Sequence, residues 1–341
     1  MLARIPPQTL RILALLFVLL AVLLFFSTQV PNYLNGRLFN RISSSVAIMA
    51  LIACGQTLVI LTRNIDLSIG SVVGFVAFAT GSLITNNPDI PPILLATYSI
   101  LLGACFGVIN GVFVAYAGVP SIIVTLGTMA LFRSALVEYS DAKSITTNNL
   151  PTWLIEFPNT QFFSIGTLQF RAAFVVAILV VIAVHFVLTR LRPARKLYAV
   201  GSNPEAAEMA GINSKLVIFF AFISAGALAG LAGFMFLARF GTITVVAGLG
   251  FELKSVASAV VGGVNIFGGS GSVIGALIGA ILIDLIDTSL VRWQLVSEFW
   301  REAVLGSLIL LSVAADAVLM RRLVKWRVSR EKKETKPEVQ S

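Results

Sequence analysis

The sequence predicts an all-α polytopic membrane protein with about ten transmembrane helices. Three observations predict it. Of 341 residues, 57% are hydrophobic and only 12% are charged, a balance foreign to soluble domains. Apolar runs recur at about the length that crosses a hydrocarbon core. Those runs are continuous, not alternating, which excludes a transmembrane β-barrel.

The first run covers roughly 12–28. Residues 12–26 have the length of a secretory signal, but no small-x-small cleavage pattern follows Phe26, so the run reads as an uncleaved first span. Further runs fall at roughly 45–61, 67–85, 92–116, 119–138, 170–189, 216–238, 255–266, 272–288 and 301–320. The 255–266 run is short and glycine-rich, so it either spans or is re-entrant. Counted as a span, it makes ten. Both termini and the 190–215 loop then share one side. That loop carries Arg190, Arg192, Arg195 and Lys196, and eight basic residues lie between Arg321 and Lys336. Basic clusters beside spans mark the cytoplasmic side. The net charge of +9 therefore tracks topology, and no nucleic-acid-binding motif accompanies it. The expected organisation is one membrane domain, 1–322, followed by a basic tail, 323–341, disordered at its end.

The longest non-apolar loop, roughly 139–169, is expected outside. Pro151 and Pro158 argue against a continuous helix through it. It is a connector or a docking surface. Cys54 and Cys105 lie inside apolar runs and read as small buried hydrophobes. The single histidine, His185, near a span end, reads as packing rather than a proton relay. One histidine and no cysteine cluster leave no material for a His/Cys metal site.

Glycines recur at four-residue spacing: Gly70 and Gly74; Gly103, Gly107 and Gly111; Gly226 and Gly230; Gly271, Gly275 and Gly279. This spacing lets helix backbones approach closely, and it places the runs at 92–116, 216–238 and 272–288 at the centre of the bundle. NIDLSIGSVVG at 64–74 aligns with NIFGGSGSVIG at 265–275, with six of eleven positions identical. That is a weak internal repeat of the kind transporters show. In the ten-span arrangement both copies enter the membrane from the same side, and are parallel.

The sequence lacks a GxxxxGK(S/T) phosphate loop, a GxSxG elbow and an HExxH pair. No acid, base and nucleophile are grouped, so the chain is not expected to be an enzyme. Several neutral polar residues do lie in or beside the runs: Gln56, Thr57, Asn64, Asn110, Thr125 and Thr128, with Asp66 at the start of the third. Polar side chains at membrane depth face the bundle interior or a pathway. As structural groups they would bond between helices. As a pathway lining, neutral amides and hydroxyls suit the hydroxyls of a sugar. Arg63 and Asp66 in TRNID are expected to pair or cap locally.

Residues 203–211, NPEAAEMAG, form the other distinctive element. Asn203 has N-cap chemistry and Pro204 suits the first helical position. Glu205 and Glu208 favour the positive helix start, Ala206 and Ala207 are good helix formers, and Gly211 can close the end in a left-handed conformation. About seven residues make a helix that is marginal in water. It gains stability by docking, and no other soluble domain exists in the chain to receive it. The expectation is a separate cytoplasmic partner; the alternative is that Glu205 and Glu208 rest on the loop's own basic stem.

Four stretches give a family resemblance: LTRNIDLSIGS (61–71), VPSIIVTLGTMALFR (119–133), RKLYAVGSNPEAAEMAGI (195–212) and VVGGVNIFGGSGSVIGALIGA (260–280). Together, in this order, the chain resembles the membrane permease of bacterial ABC sugar importers of the ribose, galactose, rhamnose and autoinducer-2 group. Ala194 and Ser134 stand where that group often has glycine, and both are small. LTRNID is similar to autoinducer-2 permeases, while SAGALAGLAG (224–233) and GFELKSVAS (250–258) are as similar to rhamnose permeases. The resemblance implies a bacterial inner-membrane assembly of two permeases, homodimeric or paralogous, with two cytoplasmic ABC ATPases and a periplasmic solute-binding protein. ATP and Mg would sit on the ATPase, and this chain would hold no cofactor. Residues 203–211 match the family's coupling helix, and 64–71 and 262–279 match elements near the pathway. The rivals are an ion-coupled secondary sugar carrier, which needs buried carboxylates for its ion, and a membrane enzyme, which needs a grouped acid–base pair. Asp284/Asp287 and Glu298/Glu302 have no histidine partner and read as span-end charges.

Overall fold

Long apolar segments hydrogen-bond their own backbones in lipid, so helices dominate. The computed structural model describes residues 7–293 and scattered positions from 297 to 314. Among these, the long helices are α1 (Pro7–Gln29), α2 (Gly36–Leu61), α3 (Ile69–Asn86), α4 (Pro92–Gly111), α5 (Ser121–Ser140), α7 (Ala172–Arg190), α10 (Ser214–Phe240) and α12 (Val273–Arg292). A π-turn at Val112–Tyr116 extends α4. These eight are long and apolar enough to cross a membrane.

The run expected at 255–266 is the helix α11 (Phe251–Val261), with only 11 residues. At 1.5 Å per residue this is roughly 16 Å, half a bilayer core. It is preceded by a non-helical segment, 241–250. Arg133 on α5 supports that segment, donating from Nη1 to the carbonyls of Val245 at 2.9 Å and Ala247 at 2.6 Å. Irregular backbone at membrane depth requires such partners. The tenth run, 301–320, lies largely outside the described residues, as does the 323–341 tail. Of the ten expected spans, eight are long helices among the described residues, the 255–266 run is the short α11, and the tenth falls largely outside them.

Two short helices lie between α7 and α10: α8 (Arg192–Ser202) and α9 (Pro204–Met209). Between α5 and α7 are the helical turn α6 (Thr152–Glu156) and an antiparallel hairpin of β1 (Gln161–Ile165) and β2 (Leu168–Arg171). No strand is expected there from composition. Gly166, at φ +61, supplies the left-handed turn that the hairpin needs.

The most enclosed helix is α2, and of the glycine-rich helices α4 lies at the edge. Every residue of α2 from Val46 to Leu61 is buried. By contrast α4 buries Leu95, Ser99, Gly103, Gly107, Asn110 and Gly111, a stripe at nearly four-residue spacing, and exposes Ile93, Leu94, Leu101 and Val108. That stripe meets α10. A Cβ at Gly103 would overlap the Gly226 carbonyl, and one at Gly230 would overlap the Ser99 carbonyl. The spacing therefore marks close backbone approach, while centrality follows from being enclosed on all sides. Cys54 is buried as expected; Cys105 is exposed, because it lies on the outward face of α4.

Candidate functional site

The turn between α2 and α3 folds back into the bundle. Gln56 is fully buried. With its amide oriented to satisfy both groups, it donates to the Asp66 carbonyl at 3.1 Å and accepts from the Asp66 N–H at 3.2 Å. The Asp66 carboxylate accepts from the Ser68 N–H at 2.8 Å and the Ser68 hydroxyl at 2.7 Å. Asn110 donates to Ser68 Oγ at 2.8 Å, and Thr128 donates to Asn110 Oδ1 at 2.7 Å. Thr125 donates to the Ser121 carbonyl at 2.8 Å and lies 3.3 Å from the Ile65 carbonyl. The structure thus brings Gln56, Asp66, Asn110, Thr125 and Thr128 to one place, joining α2, α4 and α5 at the start of α3.

Two predicted residues stay apart from this network. Thr57 donates to the Ala53 carbonyl of its own helix at 2.7 Å. Asn64 bonds Thr62 locally, donating to its carbonyl at 2.9 Å. Ser68, not singled out in the sequence, is the relay between Asp66 and Asn110; its signal was the Asx-like spacing of Asp66 and Ser68. The network is internally satisfied, which is what buried polar groups require. Burial holds the Asp66 carboxyl above the usual carboxylate range, against the opposing pull of the Ser68 and Asn110 hydrogen bonds. Arg63 does not pair with Asp66. Its side chain points to α8 instead.

The second candidate region is α9. Asn203 Oδ1 accepts from the Ala206 N–H at 3.1 Å, an N-cap bond. Pro204 occupies the first helical position and Glu205 the first turn. Gly211 adopts φ +77 and donates to the Glu208 carbonyl at 2.9 Å, closing the far end. Ala207 is buried, whereas Ala206, Glu205 and Glu208 are exposed, and Met209 is 89% exposed. Neither glutamate forms an ion pair with the basic stem among the described residues. That stem is itself helical: α8 turns Leu197, Val200 and Gly201 inward and leaves Arg192, Arg195 and Lys196 less buried. The i, i+3, i+4 spacing of its apolar positions was the available signal.

The glycines of the two repeat copies have matching tasks. A Cβ at Gly70 or Gly74 would overlap the Glu252 carboxylate or the Ala247 carbonyl. A Cβ at Gly275 or Gly279 would overlap the Gly262 or Ser258 carbonyl. Both copies therefore grip the 247–262 element. Gly271, with φ +151, abuts Val264 in the turn before α12.

Comparison with known proteins bears on this geometry. Residues 38–313 match the family described as branched-chain amino acid transport system / permease component. The autoinducer 2 import system permease protein LsrC of Yersinia enterocolitica is 33% identical over 317 residues, covering 93% of this chain and 85% of its own. LsrC of Escherichia coli O157:H7 is 34% identical over 319 residues, covering 92% and 90%. The D-allose transport system permease protein AlsC of Escherichia coli K12 is 33% identical over 307 residues, covering 89% and 91%.

Proposed function

The chain belongs to the branched-chain amino acid transport system permease-component family, and on that premise we propose that it is the membrane permease of an ATP-driven ABC importer for a small sugar-like solute. Relatives named for autoinducer 2 and D-allose import support the solute class. The observation that carries the mechanism is α9: a six-residue helix with caps at both ends and its charged side chains exposed. A helix this short gains little from its own hydrogen bonds, so its specification is for a surface outside the chain. That surface is a cytoplasmic ABC ATPase. ATP and Mg bind there, and this chain contributes positioning without covalent chemistry. Movement of α9 rocks the spans and opens the path first to one side, then to the other.

The basic residues of α8 support a cytoplasmic location for this face of an inner-membrane protein. Arg11 beside the Gly263 carbonyl puts the start of α1 at the same face. A periplasmic binding protein and a second permease, a copy or a paralogue, complete the assembly. Near the other ends of the helices, Arg37, Arg41 and Arg292 line a cavity of about 320 Å³, an electropositive recess that suits acidic groups on a docking protein. The residues 56, 57, 64, 66, 110, 125 and 128 contribute to the path by shaping the wall beside it: most of their hydrogen-bonding capacity is spent within the protein.

Glu205→Lys in the complete complex is expected to abolish retention of the ATPase during purification. Normal retention with normal uptake would overturn the docking role. The chain alone in liposomes is expected to move no autoinducer 2 or D-allose; uptake driven by an ion gradient would instead favour a secondary carrier.

A further inference from the structure

The residues leading into α9 are fastened more firmly than α9 itself. The last turn of α8 ends at Gly201 and Ser202, immediately before the Asn203 cap. Gly201 is wedged between the end of α2, just before the first repeat copy, and the second copy. A Cβ there would overlap the Leu61 carbonyl and lie 2.5 Å from the Gly269 nitrogen. Gly269 in turn donates to the Leu61 carbonyl at 3.0 Å, which ties the turn after α2 to the turn before α12. On the other side, Tyr198 donates to the Gly271 carbonyl at 3.2 Å, and Ser202 lies 3.4 Å from the Gly269 carbonyl.

Arg63 closes this seam. Its Nε donates to the Gly201 carbonyl at 2.6 Å and its Nη2 to the Ser202 carbonyl at 2.7 Å. Both carbonyls belong to the last turn of α8, which has no further turn to bond and carries the negative end of the helix dipole. A guanidinium can satisfy the two at once, whereas an ammonium is a single point charge. Arg63 does this from a left-handed backbone, φ +67, a conformation that costs a non-glycine residue energy and persists only where its surroundings impose it. Gly268, also left-handed at φ +81, lies against the Arg63 side chain; a Cβ there would stand 2.6 Å from Arg63 Cγ.

We propose that Arg63 is a positioning residue for force transmission. It rivets the segment entering α9 to both repeat copies, so that one displacement of α9 reaches the starts of α3 and α12 together. The seam suits this role because Gly201 and Gly269 set backbone against backbone beneath the Arg63 bonds, contacts that do not yield by rotamer changes, whereas α9 beyond it is largely exposed. The proposal rests on the reading of α9 as the ATPase-docking helix, which Glu205→Lys tests on its own.

The test uses the assembled complex with its ATPase. Cys54 and Cys105 are replaced by serine, and spin labels are placed at Asn86→Cys and Val291→Cys, exposed at the far ends of α3 and α12. The distance between the labels is read without nucleotide and with ATP plus vanadate. The parent protein is expected to show a nucleotide-dependent shift. Arg63→Ala is expected to retain the ATPase and its hydrolysis while the shift shrinks at least threefold, and Arg63→Lys should fall between. No shift in the parent, or an undiminished shift in Arg63→Ala, overturns the proposal. Loss of the ATPase from Arg63→Ala also overturns it, because that outcome makes Arg63 part of the docking surface. If Arg63→Ala does not accumulate, Arg63→Gln is read by the same distance with the same outcomes. Failure of the docking reading is separate: it appears as ATPase retained by Glu205→Lys.

Discussion

The two copies of the internal repeat begin and end alike but differ in the middle. The first, 64–74, carries Asp-Leu-Ser-Ile between its Asn-Ile and the shared Gly-Ser-Val; the second, 265–275, carries Phe-Gly-Gly-Ser there. The first middle turns inward and is held by side chains, with Asp66 and Ser68 buried in a hydrogen-bonded network. The second stays near the surface and is held by backbone: Asn265 donates to the Ser270 carbonyl at 2.9 Å, Gly268 and Gly269 are left-handed, and Phe267 is 73% exposed. The shared ends place a glycine-lined helix start in each copy. The divergent middles decide whether a turn anchors to the core or presents its backbone to a neighbour.

The largest expected effect falls where the copies meet. Gly201→Val forces a branched side chain into the Leu61 carbonyl, and overpacking of that kind costs about 3 kcal/mol or more. Thermal unfolding of the purified protein should show a large loss of stability; a near-normal transition would mean that the seam opens easily.

Next, Gly275→Ala and Gly70→Ala separate the two grips. The alanine methyl at 275 meets the Gly262 backbone, while the nearest obstacle at 70 is the movable end of Glu252, with the Gly248 carbonyl behind it. Losses of about 2–3 and about 1–2 kcal/mol are expected in that order, measured as unfolding midpoints in one detergent. A reversed order would break the comparison.

The anchoring of the first copy is tested at Asp66. Asp66→Ala leaves both Ser68 donors without their acceptor, which costs about 1–3 kcal/mol. Asp66→Asn keeps an acceptor oxygen there, and burial already disfavours the ionised carboxylate, so its loss should stay below about 1 kcal/mol. Equal losses would show that the negative charge itself is needed. The smallest effect belongs to the second copy's cap: Ser272 accepts from the Ile274 N–H at 3.2 Å, and Ser272→Ala should cost about 0.5–1 kcal/mol, visible as faster amide exchange in the first turn of α12.

These contrasts show which parts of the site were legible in sequence. The caps of α9 were, because Asn203, Pro204 and Gly211 act through local backbone geometry. The close approach of α4 and α10 was, because four-residue glycine spacing leaves a groove only a backbone fills. The hairpin at 161–171 was missed although Gly166 and the phenylalanines around it gave a hairpin signal, since two proline residues drew the segment towards an irregular loop. The partner of Arg63 was misjudged because nearness in sequence suggested Asp66; the turn sends the carboxylate into the core and the guanidinium outward to α8.

By itself, the sequence determined that the chain crosses a membrane as helices, where most of them start and stop, and that one short capped helix stands between two of them. Those properties depend on hydrophobic length and on residues within one turn of each other. Tertiary structure alone decided that α2 is the enclosed centre, that Asp66, Ser68, Asn110 and Thr128 share a network, and that Arg63 and Gly201 join the repeat copies at the foot of α9. Each of these depends on which surfaces meet across long separations in the chain, and hydrophobic periodicity carries no information about the partner that a surface will find.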